Sequence, residues 1–363
     1  MNPFILFTII LAALSAFAFA PQIRAAWGNG CKSVCNDLKL ATFTGAVISS
    51  EPILGKVTTF NASAADSAHL SEALTEYVAG QPADDLEDLL EALFPEVPTA
   101  RKFQFRLFKD DQFVTESDDS DIRAVGQVFK RIESGTDRQD SSLQNKGLTF
   151  RLDHDEVAEG DLAAMRQRAV NNLRKRLIRA EILRGIAAMD AGATNAARTW
   201  NAASNPDADM RKDVKLSTEG HGLLPTRQMW GYDSWQTRQD ALEDATRANH
   251  AMSNRAQWDE AQIARYLGIR ADGIHRVDAI TQAKKSGSKT RILSNRIFTY
   301  HAESGLMVDD PSNVKRFVGN VDAGGRWGVY EEVHAKFTDI TVEHYSRIVL
   351  PMTAGIRKST TSA

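Results

Sequence analysis

The stretch 161–189, DLAAMRQRAVNNLRKRLIRAEILRGIAAM, decides how the rest of the chain is read. Leu162, Met165, Ala169, Leu173, Leu177, Ala180, Leu183 and Ala187 fall on one stripe of helical period. Arg166, Arg168, Arg174, Lys175, Arg176, Arg179 and Arg184 take the remaining surface, and Gly192 supplies a stop. At about 1.5 Å per residue this is a rod of roughly 40 Å. In a chain of 363 residues such a rod is architectural.

Upstream of the rod lies Lys146-Gly147-Leu148-Thr149-Phe150-Arg151-Leu152-Asp153, in which Leu148, Phe150 and Leu152 alternate with Thr149 and Arg151. Val128, Lys130 and Ile132 alternate in the same way with Phe129 and Arg131, and Ser134-Gly135-Thr136-Asp137 reads as a turn between the two runs. The expected product is a long β-hairpin with polar and apolar residues on both faces. Such a ribbon has no core of its own and needs a partner surface. Before it stand a strand candidate with Phe103, Phe105 and Leu107 on one face, and a charged loop from Glu116 to Asp121.

Further towards the N-terminus, Leu70, Leu74, Tyr77 and Val78 predict one helical face, stopped by Gly80-Gln81-Pro82. Leu86, Leu89, Leu90 and Leu93 predict a second, ended by Phe94-Pro95. Residues 41–60 are rich in Thr and Val and read as β-like. Phe4 to Ala20 is almost purely apolar, and the first charge in the chain is Arg24. That run is open to three readings: an export signal or anchor, an arm docked on another subunit, or an upstream translation start. Ala18-Phe19-Ala20 fits signal cleavage, whereas the missing basic region and Pro21 argue against it.

Downstream of the rod, 195–215 is polar and expected to be a loop, with a turn at Asn205-Pro206-Asp207. A small α+β unit follows. Its predicted strands are Gln228 to Trp230, Ile274 to Val277 and Arg291 to Tyr300; its predicted helices are Ser234 to Leu242 and Asp259 to Leu267. Gly328 to Phe337 and Thr338 to Leu350 read as two closing strands.

The composition suits this layout. Hydrophobic residues at 42% and charged residues at 25% exclude a disordered, collagen-like or multi-span membrane chain. The length favours two or three packed units. A net charge of -3, from 44 basic and 47 acidic residues, gives no global pull towards nucleic acid or anionic lipid. Cys31 and Cys35 are the only cysteines, so a disulfide framework is excluded and a reducing or redox-indifferent setting is expected.

Chemistry-bearing motifs are scarce. Neither phosphate-binding glycine pattern occurs, nor does G-x-S-x-G. Asp153-His154-Asp155 alternates across a strand and precedes a helix, His301 with Glu303 lacks a third ligand, and C-x-x-x-C without a second pair is not a zinc site. No catalytic residue, metal or cofactor is expected. Trp200, Trp230, Trp235, Trp258 and Trp327 are too scattered for a base-stacking platform and read as core or interface anchors.

The order of these pieces carries a resemblance. Leu93-Phe94-Pro95-Glu96-Val97-Pro98, Asp121-Ile122-Arg123-Ala124, the hairpin ending in Lys146 to Asp153, the long helix, Gly231-Tyr232-Asp233-Ser234-Trp235, Tyr266-Leu267-Gly268-Ile269 and Asp309-Asp310-Pro311-Ser312 together resemble the major capsid proteins of tailed bacteriophages. The resemblance covers about residues 86–358. It implies the α+β Hong Kong 97-type capsid fold, with an N-arm, an extended β-hairpin loop, a long spine helix, a peripheral domain and an axial domain. The implied boundaries are an N-terminal extension at 1–85, N-arm and first peripheral strand at 86–120, extended loop at 121–153, spine helix and peripheral domain at 154–204, axial domain at 205–308, and C-terminal peripheral strands at 309–363.

The resemblance also implies self-assembly into pentamers and hexamers of an icosahedral shell enclosing double-stranded DNA, without sequence-specific binding. Scaffold, portal and decoration proteins are the other implied partners, no membrane is expected in the mature particle, and the implied location is the virion, after assembly in host cytoplasm. Arg174, Lys175, Arg176, Phe129, Lys130 and Arg131 are the candidate inter-subunit or DNA-facing residues. The segment Ser67 to Ala79 is a candidate scaffold-like helix, and Lys130 with Asn320 the only Lys–Asn pair considered for cross-linking, which is not expected. Rival readings are an encapsulin-like nanocompartment shell, an exported or membrane-tethered binding protein, and a cytosolic enzyme.

Overall fold

The computed structural model describes residues 69–362 apart from 82–84, 110–112, 115–121, 124, 130–136, 157–160, 249–252, 283–286, 306 and 322–324. In chain order the elements are β1 (His69–Leu70), α1 (Glu72–Gly80), α2 (Asp85–Leu93), β2 (Glu96–Pro98), β3 (Lys102–Leu107), β4 (Asp137–Ser142), β5 (Gln144–Asp153), α3 (Leu162–Gly192), β6 (Thr194–Thr199), α4 (Pro206–His221), β7 (Arg227–Gly231), α5 (Tyr232–Ala248), α6 (Ser253–Ala256), α7 (Glu260–Leu267), β8 (Ile274–Val277), β9 (Ile280–Gln282), β10 (Lys289–Arg291), β11 (Arg296–Tyr300), β12 (Lys315–Gly319), β13 (Gly328–Val333), β14 (Phe337–Val349) and β15 (Arg357–Ser362).

Two sheets organise the described chain. In the first, the order is β1-β13-β14-β12-β2, and β5 pairs along the opposite edge of β14. The rod α3 lies against this sheet through Ala169, Val170, Leu173, Leu177, Ile178, Ile182, Ile186 and Met189. Its C-terminal half thus buries Ile178, Ile182 and Ile186, while Leu183 of the predicted stripe is exposed. Gly185 explains the rotation. The Phe94 ring lies where a side chain would be, so a β-carbon there would sit 2.4 Å from its Cζ, and the side of the helix that can accept Phe94 turns inward.

The second sheet runs β6-β15-β11-β7-β8. Alternation along β11 splits its faces: Phe298 and Tyr300 join the core shared with α2 and α3, whereas Ile297 faces a separate core with Trp200, Met210, Trp230, Trp235, Ile263 and Leu267. Helices α4, α5 and α7 supply that second core. Asp259 caps α7, with its carboxylate accepting from Gln262 N at 2.7 Å, and Gly268 ends it in the left-handed region at φ 76°.

Four expectations need correcting. Strand β5 pairs antiparallel with β14, setting Leu148 opposite Val342 and Phe150 opposite Ile340, while residues 130–132 of the other predicted hairpin arm lie outside the described residues. The neighbouring strand β4 instead pairs with β3. Both strands thus form ladders with distant partners.

The polar stretch 195–215 is not a loop but β6 followed by α4, and Asn205-Pro206-Asp207 is a helix start, with the Asn205 side chain accepting from Ala208 N. Its helical face is hard to see in the sequence because charges occupy inward positions: Asp207 meets Arg238, and Asp213 meets Arg198 and Ser359.

Residues 68–363 form one compact unit, so the body begins well before 86. Helix α1 inserts Leu74 and Val78 into the main core, and the Tyr77 hydroxyl accepts from Asn171 Nδ2 at 3.1 Å. A detachable scaffold at Ser67 to Ala79 does not fit this packing. Finally, Arg174 is buried, as described next.

Candidate functional site

A chain of charged side chains is closed in between α2, α3, β2, β12 and β14. Glu87 on α2 accepts from Arg174 on α3, and Arg326 Nη1 lies 3.4 Å from its other oxygen. Glu96 on β2 takes Arg326 and Arg316 at 3.0 and 2.9 Å. Deeper along α3, Glu181 accepts from Lys146 Nζ at 2.8 Å and from the Ser346 hydroxyl, while Arg184 approaches at 2.7 Å. These pairs lock the N-terminal elements and the edge strand β5 onto the rod.

Burial alone would raise the Glu181 carboxyl, but the Lys146 charge and the hydrogen bonds from Lys146 and Ser346 outweigh it and hold the group down at about 2. Beside it His344, tilted against Trp327 at 4.7 Å between ring centres, is pushed down to about 4 by burial, with Lys146, Arg326 and Arg316 adding to the effect. The unfolded chain therefore binds a proton at His344 that the folded chain refuses between roughly pH 6.5 and 4. Stability is expected to fall by about 2 kcal/mol from this group between pH 7 and 5. Glu181 adds a further loss below its ordinary carboxylate range. Urea midpoints at pH 7 and pH 5, for the native chain and His344→Gln, check the sign: the variant should lose less on acidification.

The sequence-derived candidates fall in different places. Arg174 is buried and paired to Glu87, so it faces neither DNA nor a neighbour; helical position 174 lies on the inner side of the rod. Lys175 and Arg176 are exposed on the outer side, with Arg168 and Arg179. Phe129 is 65% exposed, with Arg123 5.2 Å from its ring centre. Ile122, Val125 and Val128 are also solvent-facing. Lys130 and Arg131 lie outside the described residues, as do Phe4 to Ala20, Cys31, Cys35 and the β-like run 41–60. Asn320 is exposed at the end of β12.

Other candidates resolve into structural contacts. His154 bonds Thr338 Oγ1 at 2.8 Å, and His301 bonds the Leu224 carbonyl at 2.7 Å. Among the described residues no three metal-ligating side chains are grouped to hold an ion, and no helix is long and apolar enough to cross a membrane. A cleft of about 370 Å³ between α2 and the second sheet is lined by Arg227, Arg270, His275, Asp88, Glu91 and Asp272. Its charges are mixed, and Arg227 is already engaged with Ala302 O and Ser304 Oγ.

The chain matches no protein-family model and no curated protein. It is similar to the crystal structure of a phage-related protein from Bordetella bronchiseptica, at 15% identity and a TM-score of 0.55, over 80% of this chain and 96% of that one. It is also similar to the mature capsid of bacteriophage PhiM1, at 10% identity and 0.45 over 75% and 86%, and to the holo-SrpI encapsulin complex of Synechococcus elongatus, at 11% and 0.40 over 80% and 95%. The Bordetella structure superposes closely enough to establish a common fold. That protein is phage-related, so the resemblance read from the sequence holds at the level of the fold.

Proposed function

We propose that this chain is the major capsid subunit of a tailed bacteriophage, folded in the Hong Kong 97-type arrangement. The observation that carries this reading is the run Ile122, Val125, Val128 and Phe129, 85, 103, 92 and 65% exposed, beside a body whose cores are closed. Contiguous exposed apolar side chains mark a surface covered by a partner. Leu148 and Phe150, 39 and 42% exposed on β5, are further exposed apolar side chains.

In this reading α3 is the spine, the first sheet belongs to the peripheral domain, and the second sheet with α4, α5 and α7 is the axial domain. The axial sheet then also draws on strands from outside 205–308, since β15 lies beside β11 and β6 beside β15. The extended loop assigned to 121–153 would lie over a sister subunit, and pentamers and hexamers close the shell. The role is structural rather than catalytic. DNA is enclosed without base readout, which a net charge of -3 permits because confinement needs no attracting field. Scaffold, portal and decoration proteins complete the proposed partners, and the virion is the proposed location.

Negative-stain electron microscopy of the purified full chain tests this. Shells or capsomer rings are expected, and a monomer at high concentration would overturn the proposal. The pair Val128→Asp and Phe129→Asp should abolish assembly while leaving the thermal midpoint unchanged. Copurified nucleic acid supports a phage head; copurified protein cargo supports a nanocompartment instead.

A further inference from the structure

On the helical layer of the second sheet, α4, α6 and α7 meet around one phenol ring. The guanidinium carbons of Arg211 and Arg255 lie 4.3 and 5.0 Å from the centre of the Tyr266 ring, and Arg255 lies 5.5 Å from that of Trp258. Trp258 and Tyr266 are themselves 5.5 Å apart. The carboxylates nearest in sequence are committed elsewhere: Asp259 caps α7 and Glu260 holds Arg276 at 2.6 Å. Among the described residues neither Arg211 nor Arg255 has a carboxylate partner. Two guanidiniums sharing one ring without a counter-charge form an incomplete arrangement.

The complementary feature lies on the same layer. Helix α5 turns Trp235, Arg238, Ala241 and Leu242 inward and leaves Asp240 and Glu243 exposed. Neither pairs with a cation among the described residues. One turn apart, their β-carbons stand about 5–6 Å from each other, a spacing suited to two neighbouring guanidiniums. We infer that the Asp240 and Glu243 strip of one copy docks on the Arg211, Arg255, Trp258 and Tyr266 cluster of the next. The inference rests on the self-assembly reading above and names the surfaces that would carry it.

Two different patches on one domain make a head-to-tail contact, which closes into a ring when the rotation allows. Aromatic rings with arginine are also the residues enriched at the centre of protein interfaces. A carboxylate partner is favoured over a nucleic-acid base because both rings are part-buried and have arginines against them. That leaves little open ring face for base stacking, whereas guanidinium edges remain free for carboxylates.

The test uses the full chain in three forms: native, Arg211→Glu with Arg255→Glu, and that pair combined with Asp240→Arg and Glu243→Arg. Circular dichroism melts confirm that each form is folded, and sedimentation reads assembly. The acidic pair should raise the concentration needed for assembly on the order of a hundredfold or more, and the four-residue exchange should restore it. Native assembly with no effect of the acidic pair would overturn the docking inference and leave the shell reading standing. Loss of assembly without rescue would also overturn it, since the cluster would then meet another surface. Intact assembly with loss of copurified nucleic acid would assign the cluster to nucleic acid. Failure of the native chain to assemble would overturn the shell reading and the inference together.

Discussion

A chain beginning at Ala68 is expected to unfold cooperatively, whereas one beginning at Arg101 should not fold. The second truncation removes Leu74, Val78, Leu90, Leu93, Phe94 and Val97, all buried at 8% exposure or less. At roughly 1.5–3 kcal/mol for each buried apolar side chain, the loss is about 10 kcal/mol or more. That equals the whole stability of an ordinary domain. The loss is also electrostatic. Without Glu87 and Glu96, Arg174, Arg316 and Arg326 lose the carboxylates that pair with them, and breaking a buried pair such as Arg174 with Glu87 costs about 3–5 kcal/mol. Denaturant titrations followed by circular dichroism decide the matter. A cooperative transition from the shorter chain would show that α1, α2 and β2 are accessory.

The same elements show what could be read in the sequence. The rod, α1, α2, β7, α7 and the β13–β14 pair were legible because their apolar residues recur at helical or strand period and glycine or a capping residue marks their ends. Strand β12 was not, because its inward positions include Lys315 and Arg316. The Lys315 ammonium is held by the Met307 carbonyl at 2.6 Å, and Arg316 by Glu96, so polar residues occupy sites a pattern assigns to core. Helix α4 was hidden for the same reason. Strand pairing was illegible in a different way: β5 has the alternation of a strand, but its ladder with 337–346 depends on where α3 holds it, and that contact involves residues nearly 200 positions apart.

The candidate site was legible only in part. A basic run such as Arg174-Lys175-Arg176 necessarily wraps around a helix, since successive residues are about 100° apart. One of the three must point differently from the others, and it is Arg174 that meets the rest of the fold through Glu87. Nothing in the run itself selects which residue turns inward. Phe129 is exposed. The Tyr266 cluster had no signal at all, because Arg211, Arg255 and Tyr266 come together only when α4, α6 and α7 pack.

Lys146 and Glu181 offer the sharpest single-residue test of how the edge strand is held. Their side chains are 9 and 2% exposed and 2.8 Å apart. Glu181→Leu leaves the Lys146 ammonium with only the Ser346 hydroxyl at 3.0 Å, and His344 and Arg184 lose their nearby anion. Lys146→Met leaves the buried carboxylate with the half-exposed Arg184 as its cation and the Ser346 hydroxyl. Each single change is expected to cost about 3–5 kcal/mol, while the double variant should recover most of that loss, because an apolar pair of similar volume carries no desolvation cost. The denaturant-derived cycle should thus give a coupling of several kcal/mol. Amide exchange supplies the structural half of the result: 144–153 should exchange faster in each single variant and return towards the native rate in the double. Additive losses with unchanged exchange would mean that the β14 ladder, with Leu152 and Ile340 in the core, holds β5 without the pair.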